Sequence, residues 1–356
     1  MKNPILFVGT YTEHEGSQSK GIYVYRMDPA SGKLTFEWEA QGVLNPSFLD
    51  LHPQKNFLYA VNEVGSFAGE EGGGVSAFAV EPESGELTLL NAYSSRGKDP
   101  CYISIEQTGR YALVANYSSG TVAMLPIQPD GGLGPATDMV QHTGSSVDPK
   151  RQTAPYAHCI RPDPTNRFAI AADLGADKLL IYKMELENGK LDKHAEVNVQ
   201  PGAGPRHVTF HPNGQYMYLL NELNSTVIVY RYHDGNLEEL QTIATLPEDY
   251  KGENLCADLH IHGNYLYASN RKHDSIVWYR IEESTGQLTY QGRIASGGRE
   301  PRGFVIDPSG NFLLAAHERS DNIVVFRIDA ATGSLSTTGQ EAKLSKPVCV
   351  RFVHLK

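Results

Sequence analysis

Apolar and aromatic residues along this chain come in short runs, YMYLLN at 216–221 and IVVFRI at 323–328 among them. Each run is cut off by a turn sequence such as His-Pro-Asn-Gly or Asp-Pro-Ser-Gly. Alternation at this spacing predicts β-strands joined by hairpins, and no stretch of comparable length carries helical periodicity. The turn glycines have a local cause, since positive φ is readily open only to Gly.

The runs belong to a repeat. GPRHVTFHPNGQYMYLLNE (204–222) has relatives at 45–63, 99–117, 154–174, 254–271 and 300–318, and a seventh copy begins at KPVCVRFVHL (346–355). Each copy is followed by a second pattern, as in STVIVYRYHDGNLEEL after Glu222 or DNIVVFRIDAATGSLS after Glu318. A full unit therefore reads as four strands. The leading positions, Pro46, Pro100, Pro155, Pro205, Asn254, Pro301 and Pro347, are spaced as propeller blades are. A solenoid would accept any repeat number and need capping ends. Here the last copy lacks its second and third strands, and ILFVGTY and GIYVYRM at the N-terminus supply them. The expectation is an all-β protein, a single seven-bladed β-propeller domain over 1–356. Four antiparallel strands make each blade, and the two terminal regions share one blade, which removes free sheet edges.

Composition narrows the partners. The chain is 40% hydrophobic and 20% charged, enough for a sizeable core. Its formal net charge of −10, from 41 acidic against 31 basic residues, argues against nucleic acid. No run approaches the roughly 18 apolar residues of a membrane span, and MKNPILFVGTYT is too short in apolar residues for a secretory signal. Cys101, Cys159, Cys256 and Cys349 form no C-x-x-C pair and read as buried free thiols in a reducing cytosol. The expected setting is cytoplasmic, with a monomer or weak homo-oligomer, no cofactor and no metal. H-E-x-x-H, EF-hand, P-loop and G-x-S-x-G patterns are absent.

Ring closure dictates where chemistry would sit. The start of each first strand and the end of each second strand must emerge at one mouth of the channel. The 17th position after the leading residue, or its equivalent, holds Glu63, Tyr117, Leu174, Glu222, Arg271 and Glu318, with Tyr11 from the N-terminal part. Just after the leading positions stand His158, Arg206, His207 and Arg302, and before the 17th come Asn62, Asn116, Asp173, Asn221, Asn270 and His317. Blander roles compete. Arg302 and Glu318 are expected to pair structurally, the recurrent Asn to fix its turn, and Asp307, His211 and His52 to serve the opposite face.

PYAHCIRPDPTNRFAIAADLGADKLLIY, GAGPRHVTFHPNGQYMYLLNELNSTVIVY, LYASNRKHDSIVWYRI and PRGFVIDPSGNFLLAAHERSDNIVVFRID resemble segments of the lactonase family. These are the seven-bladed 6-phosphogluconolactonases of bacteria, related to the fungal 3-carboxy-cis,cis-muconate lactonizing enzyme. The resemblance covers essentially the whole chain, with GPRH…NEL and SNRKHDS its specific parts. It departs at AAHE (315–318), where an Asn-Gln pair is commoner. The resemblance implies a site of His158, Glu222, Arg206 and Arg271. Asn221, Asn270, Arg302 and Glu318 are further candidates for substrate contact, the substrate being a phosphorylated or carboxylated lactone. Either His158 or Glu222 can serve as general base; His158 is the first choice, with Glu222 orienting it or the water or acting as the acid, while the arginines suit a phosphate or carboxylate, or one of them the oxyanion. Muconate lactonization and a non-enzymatic binding rim are the alternatives.

Overall fold

The computed structural model describes residues 3–353, and over them the chain forms seven four-stranded antiparallel sheets plus a small two-stranded ribbon at Ser66–Phe67 and Glu70–Glu71. The inner strands of the sheets touch in sequence around a closed ring. One blade takes its inner strand from Pro347–Phe352 and its other three from Ile5–Thr10, Gly21–Met27 and Leu34–Gln41. The expected seven-bladed architecture and its shared closing blade are therefore observed.

Burial falls off from the axis outward, as the apolar pattern requires. Second strands such as Tyr216–Asn221 and Phe312–His317 are buried at every residue, whereas outer strands such as Lys190–Asn198 are largely exposed. Blades are joined by a recurring polar contact inside this apolar packing. The hydroxyls of Tyr59, Tyr218 and Tyr267 donate to the carbonyls of Gly131, Gly286 and Gly333 in the following blade, at 3.0, 2.9 and 2.8 Å.

Two local devices shape the channel mouth. First, the residue before the leading proline is in the left-handed region at Asn45, Asp99, Gly204, Glu300 and Lys346, with φ between 37° and 68°. Its carbonyl accepts the amide of the 17th position: Glu63, Tyr117, Glu222, Glu318 and Tyr11 bond this way at 2.7–3.1 Å. The conformation is costly for most side chains, so Asn, Asp and Gly are understandable there. At Gly204 a Cβ would also lie 2.5 Å from the Leu223 side chain. Second, the ladder between inner and second strands skips one residue at the same place in five blades, leaving Val348, Cys101, His158, Arg206 and Arg302 unpaired, and in the blade of Leu255–His262 it skips Ala257 and Asp258 opposite Ser269. Such bulges re-aim side chains. The register corrects two expectations: Ala157, not Pro155, and Cys256, not Asn254, are the counterparts of Pro205, because Ala157 pairs with Asp173 and Cys256 with Asn270 as Pro205 pairs with Asn221.

Candidate active site

His158 and Arg206 sit on two of these bulges; Glu222 directly follows the second strand Tyr216–Asn221, and Arg271 ends that of the next blade, Tyr265–Arg271. The ring brings all four together. Glu222 Oε2 lies 2.8 Å from both Arg206 Nε and Arg271 Nη2, and 3.9 Å from His158 Nε2. A residue that the repeat did not single out completes the group: Arg151 Nη2 is 2.6 Å from Glu222 Oε1 and 3.3 Å from the Tyr117 hydroxyl. Arg151 lies on the irregular connection before Ala157–Pro162. There Asp148 Oδ1 accepts the amides of Lys150 and Arg151, and the Gln152 amide nitrogen donates to Leu174 O at 2.9 Å. The only cue in the sequence is the turn-forming Asp148.

His158 is poised differently from the arginines. Its nearest ring partners are Cys101 Sγ at 3.7 Å and Glu222 Oε2 at 3.9 Å, longer than ordinary hydrogen bonds. Tyr117 and His207 meet it edge-on, with ring centroids 5.5 and 5.4 Å away. His207 is anchored instead, its Nδ1 3.1 Å from Asp258 Oδ1 and its Nε2 3.2 Å from Arg206 Nη1. Asp258 as the acceptor fixes the proton on Nδ1, so Nε2 accepts from Arg206 and helps to aim it.

Arg302 and Glu318 belong to the far side of the same mouth. Arg302 Nη2 donates to the Tyr11 hydroxyl at 2.7 Å, and that hydroxyl donates to Glu63, which Ser47 also bonds. The Arg302–Glu318 separation is 4.0 Å, and His14, stacked on Tyr11, approaches Glu318 at 3.8 Å. Asn221 and Asn270, expected to contact substrate, are fully buried and bonded within the fold. Neighbouring strand residues point to opposite faces, so with Glu222 and Arg271 facing the channel these amides face the turns. Asn221 bonds the Thr226 hydroxyl and Asn270 the Thr245 backbone and hydroxyl. At the opposite face His52 bonds Gly109 O, while Asp307 and His211 accept turn amides.

A family model described as "Lactonase, 7-bladed beta-propeller" matches residues 5–352. The chain belongs to the seven-bladed lactonase family. Among relatives of this lactonase-family chain, the 6-phosphogluconolactonase of Bacillus subtilis is 34% identical over 358 residues, 99% of either chain. That of Formosa agariphila is 34% identical over 314 residues, covering 85% of this chain and 86% of its own. The solved periplasmic gluconolactonase of Pseudomonas aeruginosa superposes with a TM-score of 0.93 at 34% identity, covering 99% of each chain.

Electrostatics in this lactonase-family site separate the roles of its side chains. Burial opposes ionisation of Glu222, but Arg271 and Arg206, with Arg151 behind them, hold its carboxyl well below the usual carboxylate range. Burial, then the fields of Arg206 and His207, push His158 well below its ordinary value, so its imidazole is neutral at pH 7. Burial and Arg271 bring Arg206 down to about 10, still protonated. Three guanidiniums thus share one carboxylate, leaving surplus positive charge beside an unprotonated imidazole. Arg271 Nε is in addition buried without a partner among the described residues. Such a mouth can attract an anion, stabilise a developing oxyanion and accept a proton.

Proposed function

We propose that this chain hydrolyses 6-phosphogluconolactone to 6-phosphogluconate, the sugar-acid-forming step of the pentose phosphate route. The observation that carries the reading is Glu222 gripped by Arg151, Arg206 and Arg271 with the neutral His158 3.9 Å away. His158 removes a proton from water as the water oxygen bonds to the lactone carbonyl carbon. The carbonyl electrons move to oxygen and are stabilised by Arg206 or Arg271. When the carbon–ring-oxygen bond breaks, the imidazolium returns the proton to that oxygen. Glu222 holds the arginines in place, and Arg151, the most exposed of them, takes the phosphate with Arg271. No covalent enzyme intermediate is required.

The names of the matched relatives support hydrolysis over the muconate lactonization that the resemblance left open. The site is complete within one chain, which supports a monomer as the working unit. Four buried free thiols support a cytoplasmic setting, although one solved relative is named as periplasmic. Among the described residues no helix is long and apolar enough to cross a membrane. Hydrolysis of freshly prepared 6-phosphogluconolactone, followed by acid release against unphosphorylated gluconolactone, tests the reading. A rate no faster than spontaneous opening for both substrates would overturn it.

A further inference from the structure

The channel has a second mouth. Two residues beyond the His207 level the inner strands again face the axis, and there stand Asp50, Ser104, Arg161, Thr209, His260 and Arg351 around a cavity of about 480 Å³. Between this cavity and the Glu222 cluster lie Phe48, Tyr102 and His207. Their ring centroids are 4.3 Å (Phe48–Tyr102), 5.1 Å (Tyr102–His207) and 5.8 Å (Phe48–His207) apart. Phe48 lines this cavity on one side and, on the other, the pocket lined by Glu63, Arg206, His207 and Arg302.

Donors and acceptors around this cavity do not balance. Its carboxylates are filled from within the fold. Asp50 accepts the amides of Leu51 and Ile105, and Asp163 accepts Thr165, Arg167, Phe168 and the Tyr232 hydroxyl. Asp258, behind His260, accepts His207, Leu259 and His260. The guanidiniums are nearly empty by comparison. Arg161 reaches one backbone carbonyl, Val208 O at 3.5 Å; Arg351 reaches Val350 O at 2.9 Å and lies 4.6 Å from the centre of the Phe48 ring. Each guanidinium carries five donors in a fork that matches an oxyanion, so most of these are without a hydrogen-bond partner among the described residues, and both side chains line the cavity. Asp50 feels both arginines, yet neither is in ion-pair contact with a carboxylate among the described residues. The cavity volume lies within the range of small-molecule pockets.

We infer that this lower mouth is a second binding site, distinct from the Glu222 cluster, for a small polyhydroxy acid whose phosphate or carboxylate is held between Arg161 and Arg351. Thr209 and His260 supply the polar wall for its hydroxyls.

Calorimetric titration with inorganic phosphate in one arm and D-gluconate in the other tests the site without turnover, and so independently of the proposed hydrolysis. The wild type is compared with Arg161→Gln, Arg351→Gln and the double variant, each checked for cooperative melting. Expected are two sites in the wild type, one of them weakened roughly ten- to a hundredfold in each single variant and lost in the double, with kcat on the lactone within about twofold. Loss in the phosphate arm alone assigns a phosphate subsite, and loss in both arms a general oxyanion site. Titrations indistinguishable from wild type in the single variants overturn the inference. So does a phosphate-soaked crystal with no density between the two guanidiniums.

Discussion

Arg151 Nη2 and Glu222 Oε1 meet at 2.6 Å across 71 residues of sequence, and only the arginine of the pair is open to solvent, at 35% against 3%. Glu222 is held through Oε2 by the buried Arg206 and Arg271 and through Oε1 by the partly exposed Arg151. An incoming anion can therefore take Arg151 without disturbing the buried pair. Arg151→Gln should raise KM for the phosphorylated lactone roughly tenfold, leaving kcat and melting temperature nearly unchanged. Steady-state kinetics on both lactones check this, since the unphosphorylated one should respond little.

His158 is the group whose removal should reach the chemical step. His158→Ala is expected to cost roughly 10²–10⁴ in kcat, with KM and melting temperature close to wild type. A comparable loss in KM alone would move the proton transfer elsewhere.

The pH profile follows from the field around that imidazole. Burial and Arg206 lower its proton affinity, so the free enzyme keeps the base form well below pH 6.5. The acid limb of kcat/KM should lie below the ordinary histidine value. In Arg206→Gln one lowering influence is gone, and the limb should move to higher pH. Measuring kcat/KM between pH 5 and 7.5 in both proteins compares the two limbs.

His317 makes a stability prediction of known sign. Burial brings it down to about 4, while the unfolded chain binds a proton near 6.5. The unfolded state therefore holds more protons below about pH 6.5. The stability that neutral His317 contributes is complete above that value and lost progressively as pH falls towards 4, on the order of 3 kcal/mol. His207, brought to about 3, acts in the same sense, so the contrast must be a single substitution. Asn62, Asn116, Asn221 and Asn270 occupy the matching place in other blades. His317→Asn should therefore fold and show a smaller fall in melting temperature between pH 7.5 and 5.

Asp258 is the acceptor for two histidines, His207 and His260. Asp258→Asn removes the charge but keeps the volume, and should destabilise by about 1–3 kcal/mol. It should also weaken the aim of Arg206, visible as reduced kcat/KM. Denaturant unfolding and kinetics separate the two effects.

The ring, the blade count and the shared closing blade were legible because alternation and turn residues recur with a period. Glu222, Arg271, Arg206 and His158 are gathered at one mouth by the repeat together with Arg302 and Glu318, and only the resemblance to the lactonase family singles the four out. Arg151 was not legible, since its connection has no counterpart in other blades and its aim depends on an Asp148 turn. Asn221 and Asn270 show the reverse: the slot was found, but which face of the strand it presents was set by the one-residue alternation beside Glu222 and Arg271. The leading positions of the blades that begin at Ala157 and Leu255 differ by two residues from Pro155 and Asn254, because neither Ala157 nor Cys256 is a proline that would mark the place in the sequence.

The skipped residue in five inner strands also bears on how such a protein changes over time. Val348, Cys101, His158, Arg206 and Arg302 all occupy this one socket, from a valine side chain to a guanidinium. A mutation there alters what the mouth displays while the ladder on either side keeps its partners. Chemistry can be rewritten at the socket one blade at a time, with the packed walls between blades left untouched.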